Sequence, residues 1–182
     1  QASSKAIGFG RDESGSPSTF SAIFTDKNLK VYNRVTTPLL NSITTVTSVP
    51  TSMYVSSTRT YFTTGNTIYN HTNSLSAIVK RKDKNGVWQT YTNYNPTGIV
   101  KDKRDIYWIC SSSLGRISRL TNNIDNLSGG TFIENAGQID YEEEIKASGT
   151  LLKPTGLAVL PEKSAMFDTD LDESGRFWIC CD

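Results

Sequence analysis

The sequence is short of the residues that most often carry catalysis or bind transition metals. Among its 182 residues it has one histidine, His71, and three cysteines. No G-x-S-x-G motif supplies a nucleophile for a general base, and the cysteine spacing matches no zinc pattern. We therefore interpret His71 as a surface-loop residue, and the sequence does not favour a Ser-His-Asp or Cys-His enzyme.

An excess of charge of one sign is also absent. The chain has 19 basic and 18 acidic residues and a formal net charge of +1. A balance of this kind indicates no nucleic-acid partner. The one basic run, Lys80-Arg81-Lys82, stands beside Asp83 and a glycine turn, and we interpret it as a solvated hairpin tip.

Long apolar runs are missing as well. No stretch of about 18 apolar residues is present, so we expect no spanning helix and no membrane insertion. The sequence starts at Gln1, without Met and without a basic-then-apolar signal pattern, which leaves a leader or a preceding domain open.

Helix-forming residues are few. Ala, Leu and Glu are sparse, whereas Ser, Thr, Asn and Tyr are frequent. Thr, Tyr, Val and Ile suit the pleated, half-buried surface of a sheet. The composition therefore favours an all-β fold.

A four-residue signature, Pro-Thr-Gly followed by an aliphatic residue, occurs twice, with a looser third copy. The copies are Pro50–Met53, Pro96–Ile99 and Pro154–Leu157. When the units that start at the first two prolines are aligned without a gap, Tyr61-Phe62 falls on Tyr107-Trp108. A repeat at this spacing predicts an architecture built from copies of one small unit.

We read residues 1–182 as a single domain of four units, at approximately 1–49, 50–95, 96–153 and 154–182. Gly, Asn and Asp turns separate short apolar runs within each unit, and Asn85-Gly86 is a strong hairpin signal. Residues 141–146 fit either a helical turn or a charged outer strand. The expected strands are Ile7–Phe9, Phe20–Phe24, Leu29–Tyr32, Met53–Val55, Thr60–Thr64, Thr67–Tyr69, Ser76–Arg81, Val87–Tyr91, Ile99–Lys101, Asp105–Cys110, Gly115–Leu120, Leu157–Leu160 and Arg176–Cys180.

This pattern predicts a β-propeller of four-stranded blades, with about three and a half blades present as part of a larger ring. A single four-stranded sheet cannot bury both of its faces, so neighbouring blades pack against each other. The strand after each proline is expected to be the innermost. Gly98 and Gly156 suit a close approach of backbones near the axis.

The unit that starts at Pro96 resembles the repeat of NHL propellers and of the related SMP-30/gluconolactonase-like propellers. The matching parts are a Pro-x-Gly-aliphatic start, an Asp-bearing turn, an aromatic-aliphatic strand and a closing Gly-Arg-Ile. They are Pro96, Gly98, Ile99, Val100, Asp102, Tyr107, Trp108, Ile109, Gly115, Arg116 and Ile117. The turn and strand from Asp172 to Ile179 are similar to the same elements.

The resemblance implies a propeller fold and, in SMP-30-like enzymes, a divalent ion held on the axis by acidic and amide side chains of the inner strands. The corresponding positions here hold neither Glu nor Asn. They read Met53, Tyr54, Ile99, Val100, Leu157 and Ala158. A lactonase is therefore the lesser interpretation.

Acidic residues gather near the end of the sequence, at Asp168, Asp170 and Asp172. Their D-x-D-x-D spacing resembles the first half of a calcium loop, because Ca²⁺ takes several carboxylate oxygens. The glycine comes one residue late, however, and no Glu stands at the twelfth position. A solvated, turn-forming loop is the alternative, and we expect no cofactor unless calcium binds here.

Cys110 and Cys180 fall at the same place in the repeat, which favours small buried side chains over reactive thiols. Most of the aromatic residues are expected to pack between blades. Trp88, beside Gly86, and Tyr94, beside Asn95, lie at loop ends. We predict that these two stack on a sugar or on another protein.

The function favoured by these observations is a non-catalytic recognition or assembly module, since propeller blades hold binding loops rigidly. The expected partners are a glycan or a cell-surface protein, together with other subunits or the rest of a longer chain. The Ser/Thr/Asn/Tyr-rich composition suits an extracellular or virion surface, by analogy with phage tail fibres and receptor-binding proteins. The alternatives are a fragment of a metal-dependent SMP-30-like hydrolase and a structural spacer.

Overall fold

The structure is a computed structural model, and the part described here covers ten ranges of the chain. These are residues 6–12, 19–24, 26–33, 39–44, 49–55, 60–70, 75–102, 104–121, 136–159 and 177–182. Within these ranges all regular secondary structure is β-strand. The same ranges contain no helix long and apolar enough to cross a membrane.

Among the described residues, three sheets of four antiparallel strands and one pair of strands follow one another along the chain, each in sequential order. The first sheet contains β1 (Ala6–Asp12), β2 (Thr19–Phe24), β3 (Asn28–Asn33) and β4 (Leu39–Thr44). The second contains β5 (Ser52–Val55), β6 (Thr60–Thr64), β7 (Thr67–Asn70) and β8 (Leu75–Ile78). The third contains β11 (Pro96–Lys101), β12 (Tyr107–Ser111), β13 (Arg116–Leu120) and β14 (Ile139–Glu144), and the pair is β17 (Pro154–Val159) with β18 (Phe177–Cys181).

Within the described ranges, two short hairpins connect these elements. The first, β9 (Lys80–Lys82) with β10 (Trp88–Thr90), joins the second sheet to the third. The second, β15 (Lys146–Ala147) with β16 (Thr150–Leu151), joins the third sheet to the pair of β17 and β18.

The first strands of successive sheets contact one another, from β1 to β5 to β11 to β17. The strands that follow the repeat prolines are therefore the innermost, as the sequence predicts. A Cβ added to Gly98 would lie 2.7 Å from the Cys110 Sγ and 3.1 Å from the Leu157 backbone nitrogen. Glycine at position 98 thus leaves room both for Cys110 of its own blade and for the backbone of the next blade. Around Gly156 the nearest atom in the described part of the chain, the Cys180 Cβ, is 4.0 Å away, so the close approach predicted at Gly156 is not found there.

The sheets repeat each other in register as well as in sequence. In β11 the pairing shifts between Pro96 and Gly98, and Gly98 lies opposite Cys110. In β17 the pairing shifts at the same place, and Gly156 lies opposite Cys180. The predicted equivalence of the two cysteines is confirmed.

The environments of the two cysteines differ because the next blade covers only one of them. Cys110 is buried, and burial raises the pKa of its thiol to about 12. It is therefore an apolar core residue, as predicted. Cys180 is exposed, so the buried position predicted for it is not found, since no later sheet packs on it within the described part of the chain.

In the part of the chain that the structure describes, the largest cluster of buried residues lies between the second and third sheets. The buried ring of Tyr107 meets the rings of Tyr54 and Tyr61 edge to face, at centroid distances of 5.8 and 5.2 Å. Ile68 and Ile109 are buried in the same cluster. Edge-to-face pairs are favourable because the positive edge of one ring meets the negative face of the next. The expectation that aromatic side chains pack between blades is confirmed here.

The predicted strand Ser76–Arg81 is not continuous. It breaks at Val79, which is fully buried, so that the residues up to Ile78 belong to the second sheet and those from Lys80 to the first hairpin. The Val79 N–H donates to the carbonyl of Asn66 at 3.1 Å, and its carbonyl accepts from the N–H of Tyr91 at 2.9 Å. Alternation alone does not reveal this break, because Val79 fits a strand equally well.

Three other features differ from expectation or resolve an alternative. β4 was not expected from its sequence. Residues 139–144 form the outer strand of the third sheet, so the strand alternative for the acidic segment is correct. Asp105 was expected to open β12, but it has a φ of 63° and lies in the preceding turn.

Asp102 organises that turn, which joins β11 to β12. Its side chain is buried, and its Oδ1 accepts the backbone N–H groups of Arg104 at 2.9 Å and Ile106 at 3.0 Å. Its Oδ2 accepts the indole N–H of Trp108 at 3.0 Å. The aspartate of the repeat thus ties the turn to the aromatic residue of the following strand.

Replacing Asp102 by alanine is expected to lower the free energy of unfolding by about 3 kcal/mol, because buried donors lose their charged acceptor. Urea unfolding followed by circular dichroism measures this change. Asp140→Ala is the matched control, since Asp140 pairs with Arg119 at the surface and is expected to contribute about 1 kcal/mol or less. An equal loss in both variants would contradict the structural role of Asp102.

Candidate recognition surface

Both connecting hairpins run from the outer strand of one sheet to the innermost strand of the next. Because neighbouring strands are antiparallel, connections of this kind leave the propeller on the same side as the turns between the second and third strands of each blade. Two backbone hydrogen bonds support this placement of the hairpins. Val79, which precedes the first hairpin, donates to Asn66 in one such turn, and Ile145 donates its N–H to Gly115 in another at 2.8 Å.

The first hairpin has a tip held together by Asp83. The Oδ1 of Asp83 accepts the N–H groups of Asn85 at 2.8 Å and Val87 at 3.0 Å. These backbone hydrogen bonds, that of Val87 above all, hold the pKa of the exposed Asp83 carboxyl below its ordinary value. Gly86 has a φ of 80°, which explains why the Asn-Gly pair predicted the hairpin correctly.

The tip presents apolar surface beside positive charge. Val87 is 53% exposed, and the half-buried Trp88 follows it. Lys82 lies opposite Trp88 in the register, with its Nζ 5.2 Å from the centre of the indole. A flat aromatic ring flanked by a cation is suited to stacking on a sugar ring or on a side chain of another protein.

The base of this hairpin is fixed to the third blade. The N–H of Lys80 donates to the carbonyl of Gly137 at 2.8 Å, and Lys80 forms a parallel bridge with Gln138. Gly137 has a φ of 81°, and an added Cβ would lie only 2.4 Å from the carbonyl oxygen of Ile78. The second and third blades therefore meet at a backbone contact that admits only glycine.

A charged network connects the two hairpins. Arg116 donates to the hydroxyl of Tyr91 at 3.0 Å and pairs with Glu142 and Glu144, each at 3.1 Å. Glu144 also pairs with Lys146 in the second hairpin at 2.6 Å. Tyr91 ends the first hairpin, and burial together with the neighbouring Glu142 charge raises its pKa. Sequence reasoning did not identify this network, because its members are distant along the chain.

Tyr94 does not belong to the surface, and its predicted role as a ligand-stacking residue is wrong. The side chain is fully buried. Its hydroxyl lies 2.8 Å from the Ser118 Oγ and 3.2 Å from the Ile109 carbonyl, and burial raises its pKa well above the ordinary value. The neighbouring Asn95 marks a turn, but that turn directs the ring of Tyr94 into the core.

The other candidate residues lie outside the described ranges. They are His71 and the predicted metal ligands Asp168, Asp170 and Asp172. In the sequence repeat Asp172 aligns with Asp102, so a turn-forming role competes with calcium binding at that position. Within the described ranges, no group of three or more His, Cys, Asp and Glu residues could hold a metal ion.

No protein-family model matches the sequence, and no curated protein matches it. Solved structures do. A catalytically inactive variant of virginiamycin B lyase from Staphylococcus aureus with quinupristin matches with a TM-score of 0.50 and 16% identity, over 85% of this chain and 45% of that chain. A streptogramin B lyase matches with a TM-score of 0.50 and 17% identity, over 84% and 44%. U3-55K matches with a TM-score of 0.52 and 7% identity, over 84% and 42%.

All three of these structures are β-propellers. The chain folds as a partial β-propeller. Identities this low establish the fold alone, so the propeller part of the resemblance is confirmed, while the finer relation to NHL or SMP-30-like repeats stays a prediction. The chain spans less than half the length of each of these structures.

Proposed function

We propose that this β-propeller chain is a non-catalytic recognition module that binds through its first hairpin, with Trp88 as the central contact. The partner we propose is a glycan or a cell-surface protein, in an extracellular or virion-surface setting. Of these, the glycan is the first choice.

The proposal is based on one observation: the tip of the first hairpin is apolar and exposed, whereas the base of this hairpin is held rigidly. Val87 and Trp88 contribute little to the core, whereas the base is held by Lys80 and by the buried Val79. A preorganised loop loses little conformational entropy when it binds. Aromatic residues on such loops are frequent energetic centres of interfaces.

The surroundings of Trp88 favour a sugar. Strand alternation places Trp88 and Thr90 on one face of the hairpin, opposite Lys82 and Lys80 in the register. The apolar face of a sugar ring can stack on the indole. Ammonium and hydroxyl groups around the ring can then bond the sugar hydroxyls.

Replacing Trp88 by alanine is expected to weaken glycan binding about tenfold or more, because the stacking surface is removed. A glycan array followed by titration of the best glycan measures this loss. Trp88→Phe is expected to retain much of the affinity. Tyr141→Ala is the matched control, because Tyr141 is an exposed aromatic residue on the outer strand β14 and should leave binding unchanged.

Two outcomes distinguish the competing functions. Lactone hydrolysis that requires calcium or zinc and disappears with a chelator would favour the metal-dependent hydrolase. A folded protein that binds no glycan on the array and no cell surface would favour the structural spacer. Either result would contradict the proposed function.

A further inference from the structure

The threonine of the repeat signature joins neighbouring blades. The hydroxyl of Thr51 donates to the carbonyl of Pro96 at 2.5 Å, and the hydroxyl of Thr97 donates to the carbonyl of Pro154 at 2.7 Å. In each case the donor and the acceptor occupy the same positions of successive copies. We call this hydrogen bond, from the threonine of one unit to the first residue of the next, the threonine clamp.

A second contact of the clamp threonine stays within its own blade. Thr51 lies 3.1 Å from the carbonyl of Thr63 on the neighbouring strand, and Thr97 lies 3.4 Å from that of Cys110. Thr155 keeps this contact, at 3.4 Å from the carbonyl of Cys180. Its side chain is therefore positioned as in the other two units.

The fourth unit lacks the between-blade half of the clamp within the described part of the chain. Thr155 is exposed there. An added Cβ on Gly156 would meet nothing nearer than 4.0 Å, whereas on Gly98 it would meet the next strand at 3.1 Å. The open face of β17 thus has the features of a blade junction without the next blade.

β1, the first strand of the chain, has the features expected of a strand that packs on this face. In β1 the pairing shifts between Ala6 and Gly8, as it shifts between Pro154 and Gly156 in β17. Ala6 therefore holds the position of the acceptor proline, and it is exposed.

We propose that a second copy of this chain docks its first blade on the open face of β17, head to tail. Thr155 then donates to the carbonyl of Ala6 of the partner subunit and completes a third threonine clamp. A head-to-tail contact repeated between two copies closes a ring when the rotation fits. This interface lies at the junction of blades and is independent of the Trp88 surface.

Sedimentation equilibrium of the 182-residue chain tests the proposal. The wild type is expected to form a dimer that dissociates on dilution. Thr155→Val should weaken the dimer about tenfold or more, since it removes one hydrogen bond from each of the two junctions of the ring, and Gly156→Val should prevent dimerisation by filling the open face. Thr97→Val is the matched control: it removes the clamp inside the chain and should leave the dissociation constant of the dimer unchanged.

A wild type that stays monomeric at every concentration, with the circular dichroism of a folded β protein, would overturn the proposal. So would a dimer that is insensitive to both Thr155→Val and Gly156→Val.

Cross-linking tests the orientation separately. In a background with Cys180 and Cys181 replaced by serine, chains with Thr155→Cys mixed with chains with Ala6→Cys are expected to form a disulfide-linked pair on oxidation. Tyr141→Cys in place of Thr155→Cys is the control, and equal cross-linking in both mixtures would contradict a head-to-tail contact.

Discussion

Replacing Tyr94 by alanine is expected to lower the free energy of unfolding by about 4 kcal/mol. The side chain is among the largest that are fully buried, and its removal leaves a cavity between the first hairpin and the third sheet. Its ring lies 5.1 Å from that of Tyr91, and Ser111 donates its hydroxyl to the Tyr94 carbonyl. Thermal or urea unfolding measures the loss.

Tyr94→Phe separates the packing of the ring from the hydrogen bond of its hydroxyl. We expect it to cost about 1–2 kcal/mol, because the ring stays while Ser118 and the Ile109 carbonyl lose a partner. Trp88→Ala should change stability by less than about 1 kcal/mol. If Tyr94→Ala unfolded like the wild type and lost only ligand binding, the core position of Tyr94 would be contradicted.

Replacing Gly98 by valine is expected to cost about 3 kcal/mol or more, because the new side chain has no space to enter. Its Cβ would meet the buried sulfur of Cys110, and backbone atoms of Gly156 and Leu157 at 3.3 and 3.1 Å. Backbone atoms of the adjacent blade cannot rotate away. Urea unfolding with a constant dependence on denaturant would show that stability, rather than compactness, has changed.

Gly156→Val is the matched variant, because Gly156 has the same place in the repeat and open space around it. Its free energy of unfolding should stay within about 1 kcal/mol of the wild type when it is measured at dilution, where the proposed dimer dissociates. Equal destabilisation at both glycines would mean that the cost reflects the strand itself and not the neighbouring blade.

The repeat signature can now be explained residue by residue. Proline begins the innermost strand, where no backbone donor is needed, and its carbonyl accepts the hydrogen bond of the preceding unit. The threonine hydroxyl donates the equivalent hydrogen bond to the proline carbonyl of the following unit. Glycine leaves room for the next strand, as at Gly98. The signature therefore encodes a junction between blades rather than a binding site.

The first unit shows how the junction changes when the threonine is absent. At the corresponding position it has Ile7, which packs against Met53 and Phe62 of the second sheet. An apolar contact thus takes the place of the hydrogen bond. Full burial of such a side chain contributes about 1.5–3 kcal/mol, and the half-buried Ile7 contributes part of this. The threonine clamp is thus one of two kinds of contact that join these blades.

The sequence alone determined the properties that depend on neighbouring residues. The alternation of apolar and polar residues with Gly, Asn and Asp turns determined the all-β class and most of the strands. The repeat of Pro-Thr-Gly determined the blades and their innermost strands. The Asn85-Gly86 pair determined the first hairpin, because its backbone conformation is a local property.

Only the tertiary structure decided what depends on residues far apart in the chain. The partners of the threonine clamp are 45 and 57 residues apart, and no local pattern pairs them. Tyr94 occupies a loop end in the sequence, yet packing against the third sheet buries it. Val79 ends one strand because the second and third blades meet there. Side chains are buried, and backbones approach closely, where one blade packs on the next. The sequence therefore determined the blades, whereas the packing between blades decided which side chains remain available for recognition.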